Sequence, residues 1–343
     1  MKKRALALLM AAAMVSGLAA CSSDADKTEA AATEKDTTEA AGSEAAQGEA
    51  WSKETPMKIG FSQNKLSVAY RVAGVEQLEE YVKEQGLNWE IVVTDGKNDA
   101  STQTANVEDL LSQGVDGMIM CPVTEDTMTP AAQQVVDAGI PLVLVNRKVA
   151  DENAYDASIT GSNYQIGQLS AEDMAERLGG KGKVAVIQGT VGATDSTERT
   201  KGFKETIANY PDMEIVADPS GDFVKDKGMT AMEDILIKNP DLAGVFCCND
   251  EMAQGALLAC ESVGANDVLV YGNDGYRSTM DFIKEGKIAG TCLYPTSVQS
   301  AVDVLVSIFE NGGEYTGEKE IIDDVPLVTE KNVDEYYEQA LDA

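Results

Sequence analysis

Eight short apolar runs recur along the chain, and most are followed by a stretch whose apolar residues fall at helical spacing. In the first half the runs are KIGFS (58–62), WEIVV (89–93), GMIM (117–120) and LVLV (142–145). In the second they are VAVI (184–187), EIVA (214–217), GVFC (244–247) and VLVY (268–271). Continuous β-branched runs of this length suit strands buried on both faces, as in a parallel sheet, and parallel neighbours need a crossover between them. Helices are expected after the first run, with Val68, Val72, Val75, Leu78 and Val82 as a buried stripe, then near Ser101–Ser112 and from Asp126 to Ala138. Their counterparts are a helix carrying Arg199, Phe203 and Ile207, one near Asp226–Ile237 and one over Glu251–Val263. Two βα arrays of one design, each about 90 residues before its last strands, predict an α/β chain of two similar Rossmann-like lobes with parallel sheets.

Ligands of open α/β sheets bind beyond the carboxyl ends of the strands. The stretch Lys183–Phe203 lies across such an edge. Gly189 and Gly192 break the apolar run, Asp195, Ser196 and Thr197 offer N-caps, and Arg199 follows in the first turn. A cation there opposes the helix dipole, so it reads either as a ligand group or as a surface arginine paired with Asp195 or Glu198. Arg71 sits early in the corresponding helix of the first array. Asn146-Arg147 and Asn273-Asp274 close the fourth runs of the two arrays, and Asn249 closes the third run of the second. Any one of them alone reads as a solvated loop residue. Together they put polar groups at the same end of both sheets, which predicts a cleft between the lobes.

Met1–Ala20 begins with Lys2, Lys3 and Arg4 and continues through apolar Ala5–Leu18, a run too short for a membrane span and shaped like a secretory signal. Leu18-Ala19-Ala20-Cys21 resembles the lipobox of bacterial lipoproteins, so Cys21 is expected to be a lipidated N-terminus that anchors without spanning. Ser22–Ala50 has no apolar residue larger than alanine, and residues 21–56 are expected to form a disordered acidic linker. That leaves about 285 residues from Met57 on, more than one compact core usually holds.

Formal charge is −31, and loss of Lys2, Lys3 and Arg4 takes it to −34, which excludes nucleic acid and polybasic membrane contact. The chain has no histidine, so His-based triads, His zinc sites and imidazole acid–base chemistry are excluded. With Cys21 assigned to lipid, Cys121, Cys247, Cys248, Cys260 and Cys292 remain. An odd count without CxxC spacing is neither a disulfide framework nor a metal cluster, and the five read as small buried thiols.

Met57 to about Thr329 resembles the periplasmic sugar-binding proteins of the ribose- and galactose-binding type, the type I periplasmic binding proteins that serve ABC importers. Within them it is most similar to the galactofuranose-binding branch. The stretches that carry the resemblance are GFSQ (60–63) with Ala69-Tyr70-Arg71, QGVDGMIMCPV (113–123), AGIPLVLVNR (138–147), QGTVGAT (188–194) with Arg199, SGDF (220–223), CNDEM (248–252) and NDG (273–275). The resemblance implies a three-segment hinge, placed near Thr160–Asn163, Gly290–Leu293 and Ile322–Pro326, with the helix around Ser297–Glu310 returning to the first lobe. The lobes would then be 57–161 plus 292–322 and 162–291 plus 323–343. It also implies that Arg71, Asn146, Arg147, Arg199, Asn249 and Asp274 meet sugar hydroxyls while Tyr70 and Phe223 flank the ring. The alternatives are a helix-packing role for Tyr70 and a loop plug for Phe223. Two residues depart from the pattern: Asn146 stands where the family has aspartate, and Tyr70 where the galactofuranose branch has tryptophan. Without that aspartate three arginines face Asp274, which opens the site to an acidic sugar.

The resemblance implies no catalytic residue, metal or cofactor. The expected partners are a monosaccharide, a membrane permease with its ATPase, and the outer face of the membrane through the lipid, with the protein itself a monomer. A sensory receptor of the same fold feeding a membrane kinase is the alternative. An enzyme is disfavoured, since GxGxxG, GxxxxGK[ST] and GxSxG are all missing from the sequence. A sugar-responsive repressor would need a basic helix-turn-helix where this chain has a signal and an acidic linker.

Overall fold

All eight apolar runs are strands in the computed structural model, which describes residues 51–342. The signal, Cys21 and nearly all of the linker lie outside the described residues. The first array runs β1 (Met57–Gln63), α1 (Ala69–Glu84), β2 (Trp89–Asp95), α2 (Ala100–Ser112), β3 (Gly117–Met120), α3 (Glu125–Asp137) and β4 (Leu142–Val145), and closes with β5 (Ala157–Gly161). The second begins with α4 (Asn163–Leu178) and continues β6 (Lys181–Ile187), α5 (Thr194–Ile207), β7 (Asp212–Ala217), α6 (Lys225–Lys238), β8 (Leu242–Cys247), α7 (Asp250–Val263), β9 (Leu269–Asp274), α8 (Arg277–Lys284) and β10 (Gly290–Leu293). The chain ends with α9 (Val298–Glu310), β11 (Glu320–Asp323), β12 (Leu327–Thr329) and the short α10 (Val333–Tyr336).

Two six-stranded sheets result, in the orders β11-β5-β4-β3-β1-β2 and β12-β10-β9-β8-β6-β7. Every pairing is parallel except β10 with β12. β3 and β4 are buried along their whole length, which is why they read as unbroken apolar runs. The chain passes between the sheets after β5, after β10 and between β11 and β12. Gly290–Leu293, expected as a crossing, is instead a strand paired with Tyr271–Asp274, so Cys292 and Leu293 belong to the second sheet and the passage follows at 294–297. Helix α9 does return to the first sheet, where Val298, Val302, Leu305 and Ile308 pack with Ile59, Phe61, Leu78 and Ile119.

The expected stripe on α1 is only partly right. Leu78 and Val82 are buried, but Val68 precedes the helix and Val72 is 42% exposed. The first turns of α1 face the other lobe rather than their own sheet, and they bury Tyr70 and Arg71 instead. At the opposite end of the first sheet, Trp51 and Trp89 pack on Phe309, with ring centroids 6.0 and 5.9 Å apart. All five cysteines among the described residues are free and buried, as the sequence suggested, and burial pushes each thiol upward, to about 11 for Cys248 and Cys260 and about 12 for Cys292. Among the described residues no helix is long and apolar enough to cross a membrane.

Candidate ligand-binding site

The carboxyl ends of the two sheets face each other across a small polar cavity of about 30 Å³. Tyr70, Arg71, Arg147, Arg199, Phe223, Asn249 and Asp274 line it, seven of the eight residues expected from the sequence. Asn146 stands one layer behind, where its side-chain oxygen accepts from Arg71 Nη1 at 2.5 Å and its Nδ2 donates to the Tyr70 hydroxyl at 3.0 Å. Both Asn146 and Asp274 have positive φ, 61° and 135°, so the two fourth strands each end on a non-glycine residue in an uncommon backbone state. Such strain persists where surrounding contacts over-determine it, and it collects at functional sites.

Arg147 and Arg199 are each braced by carbonyl oxygens of their own lobe. Arg147 Nη1 donates to the carbonyls of Pro122 and Val123, at 3.2 and 2.8 Å. Arg199 Nε donates to Asn163 Oδ1 at 2.9 Å and its Nη1 to the Cys248 carbonyl at 2.6 Å. This depends on α4 and α5 touching backbone to backbone: a Cβ on Gly167 would strike the Arg199 carbonyl, and one on Gly202 the Tyr164 carbonyl. Asn249 caps α7, accepting from Met252 N at 3.0 Å, so its oxygen is committed to the helix. Asp274 is 5% exposed, 3.9 Å from Arg199, and accepts from Asn273 Nδ2. Burial pushes its carboxyl well above the usual range, with Arg199 opposing.

Several groups at the cavity were not singled out from the sequence. Asn64 and Lys65 enter from the loop after β1, and Tyr294 from the second crossing, with Arg199 over its ring at 4.5 Å. Asn64 is fully buried and both atoms of its amide lack a protein partner, which leaves a donor and an acceptor for a ligand. Asp195 matters most. It does not cap α5, whose N-cap is Ala193, but reaches across the cleft to Arg147 Nε at 2.9 Å and lies 3.9 Å from Arg71. Arg199 therefore is not the surface arginine paired with Asp195 or Glu198 that the local pattern allowed.

Other contacts also join the lobes. Lys65 Nζ donates to the Asp222 carbonyl at 3.2 Å, Asn98 Nδ2 to the Asp222 carboxylate at 3.3 Å, and Tyr70 N to the Tyr276 hydroxyl at 3.0 Å. The cleft is shut. A wider groove of about 1060 Å³ lies over the crossings, lined by Gln77, Tyr294, Asp323 and Val325 among others, but it gathers no cation and is open to solvent.

Two matched lobes with convergent polar groups in the closed space between them define a receptor that wraps a small polar ligand. The chain belongs to the family described as periplasmic binding protein domain, whose pattern matches residues 59–313. It is 35% identical over 233 residues to the ribose import binding protein of Bacillus subtilis (strain 168), covering 68% of this chain and 74% of that one. It is 30% identical over 267 residues to the galactofuranose-binding protein of Escherichia coli (strain K12), covering 75% and 83%. A crystal structure of a galactofuranose binding protein superposes with a TM-score of 0.78 at 27% identity, covering 83% of this chain and 98% of that one. These relatives are binding proteins, and the chain is a binding protein rather than an enzyme.

Proposed function

We propose that the protein is an extracytoplasmic receptor that binds one monosaccharide in the cleft, closes on it, and delivers it to a membrane permease driven by an ATPase. The observation that carries this reading is the cavity, where Arg71 and Arg147 from one lobe and Arg199, Asn249 and Asp274 from the other converge on one small volume. Planar guanidinium and carboxylate groups meet vicinal hydroxyls two at a time, and Tyr70, Phe223 and Tyr294 supply aromatic faces for the C–H side of a sugar ring. The names of the ribose and galactofuranose relatives support the substrate class, and a furanose ring form is part of the proposal. Contacts made by both lobes at once exist only in the shut form, so the ligand favours closure, with 161–163, 294–297 and 323–327 as the hinge. The reading includes Cys21 as a lipid anchor behind a signal of 20 residues, a tether over 21–56, and a monomeric receptor.

A thermal-shift screen of pentoses, hexoses, furanoses and uronates tests the substrate class, since a bound ligand stabilises by mass action. At least one monosaccharide should raise the melting temperature and compact the protein in small-angle scattering. Failure of every sugar at millimolar concentration rejects the reading. The anchor is tested separately, because Cys21→Ala should move the protein from the membrane to the soluble fraction.

A further inference from the structure

The charges at the cleft are unevenly divided between the lobes. The first lobe contributes Lys65, Arg71 and Arg147 to the cavity and no carboxylate. The second contributes Arg199 together with Asp195 and Asp274. At the rim the second lobe adds Asp222, which holds Lys65 through its carbonyl, and Glu251, which lies close to Lys65. In the cavity itself four cations thus meet two carboxyl groups, and the Asp222 carboxylate at the rim is already paired with Lys227 Nζ at 2.9 Å. Asp250, the next carboxylate inward, is committed to the amides of Gly275 and Tyr276 and the hydroxyl of Thr291 and does not line the cavity.

Asp195 is the member of this set that decides the balance. One oxygen is fixed by the amide of Ser196 at 2.8 Å, and the other lies 2.9 Å from Arg147 and 3.9 Å from Arg71. The carboxylate is 3% exposed, so its field is poorly screened. Burial alone would raise its pKa, but Arg147, Arg199 and Arg71 together outweigh that and keep it below the ordinary carboxylate value. A ligand carboxylate seeking Arg71 or Arg147 would have to settle within a few ångströms of this like charge in a low-dielectric site. A hydroxyl meets no such penalty, since it donates to Asp195 and accepts from the arginines.

We propose that Asp195 is a specificity-determining residue, a built-in counter-ion that commits the cleft to uncharged sugars and excludes sugar acids. The proposal rests on the monosaccharide-binding reading above. It reverses the expectation that loss of aspartate at position 146 opens the site to an acidic sugar, because the missing negative charge arrives from the other lobe. With the charge removed, Arg71 and Arg147 are left as buried cations that a ligand carboxylate can satisfy.

The test is isothermal titration of purified wild type, Asp195→Asn and Asp195→Glu with D-ribose, D-allose, D-galactose, D-galacturonate and D-glucuronate. Wild type should bind a neutral sugar at least a hundredfold more tightly than either uronate. Asp195→Asn keeps the shape but not the charge, and should narrow that preference at least tenfold, with tighter uronate binding than wild type. Asp195→Glu keeps the charge and should retain most of the preference. Wild type preferring a uronate overturns the proposal without any variant, and so does an Asp195→Asn preference within threefold of wild type. Those results would leave the monosaccharide reading standing, whereas a wild type that binds neither these five nor any sugar of the thermal-shift screen overturns both.

Discussion

The two lobes have the same strand order and differ in what they place at equivalent points. In the first, the residues after β3 are Cys121, Pro122 and Val123; in the second, those after β8 are Cys248, Asn249 and Asp250. The first lobe ties this corner together with a neutral amide. Gln103 Nε2 donates to the Cys121 carbonyl at 2.8 Å and to Ser62, and its Oε1 accepts from Val123 N at 2.8 Å. The second lobe ties its corner with the buried carboxylate of Asp250, bonded to Tyr276 N at 2.8 Å and Thr291 Oγ1 at 2.7 Å. The same division holds at the cavity, where the first lobe is cationic and the second carries the carboxylates. Topology fixes where polar groups go but not their sign, and closure brings the carboxyl groups of the second lobe against the cations of the first.

Breaking the strongest contact across that divide should have the largest effect. Arg147→Ala leaves Asp195 buried without its closest cation, and loss of one partner from a buried pair costs about 3–5 kcal/mol. We expect sugar affinity to fall at least about a hundredfold, read by calorimetry, at ~1.4 kcal/mol per tenfold; a change under threefold would remove the pair from the closed state. Asp274→Ala removes a hydrogen-bonding carboxyl of the second lobe rather than the interlobe pair, and affinity should drop about tenfold or more, since a buried group left without its hydrogen-bond partner costs ~1–3 kcal/mol. Unchanged binding in this folded variant would place the sugar away from β9.

The contrast between the two corners is sharpened by pH. Burial, opposed by its hydrogen bonds, raises Asp250 to about 6 from an ordinary 3.8, and the Gln103 corner has no titrating counterpart. A carboxyl with a raised folded pKa contributes stability that is complete below its unfolded value and is lost as pH climbs through the folded one. Without added sugar, the protein should therefore be about 1 kcal/mol more stable at pH 5 than at pH 7, a rise of a few degrees in melting temperature. A flat or falling melting temperature between those pH values would show that Asp250 titrates normally. The smallest effect is expected from the thiols, which occur in both lobes. Joint replacement of Cys121, Cys247, Cys248, Cys260 and Cys292 by alanine or serine should lower stability while leaving the affinity of the folded variant within about twofold, by the same equilibrium titration. A larger loss would give one of them a role at the site.

Much of this was legible because parallel strands buried on both faces announce themselves as apolar runs, and GMIM and LVLV are β3 and β4 to the residue. Strand β5 was not, since ASITG mixes small and polar residues, and α4 was not singled out beyond its first residue, which fell in the expected crossing at Thr160–Asn163. The arginines and Asp274 stood out by their position at strand and helix ends. Asp195 was misread for an instructive reason: a carboxylate at the start of a helix satisfies a local rule, and that explanation hid its partner in the other lobe. Asn64, Lys65 and Tyr294 sit in connections where periodicity says nothing, and only the folded chain brings them to the cavity.

The placement of the two tryptophans settles how closure can be watched. Trp51 and Trp89 both rest on Phe309, near the amino ends of the first sheet's strands, whereas the cleft lies at the carboxyl ends, about 20 Å away along a seven-residue strand. The sequence has no others. Indole emission will stay nearly constant through a sugar titration, and a fluorimeter tuned to it would record a silent protein. Tyr70, Tyr276 and Tyr294 sit where the lobes meet, so an optical reporter belongs there, with Tyr294→Trp as a direct way to install one.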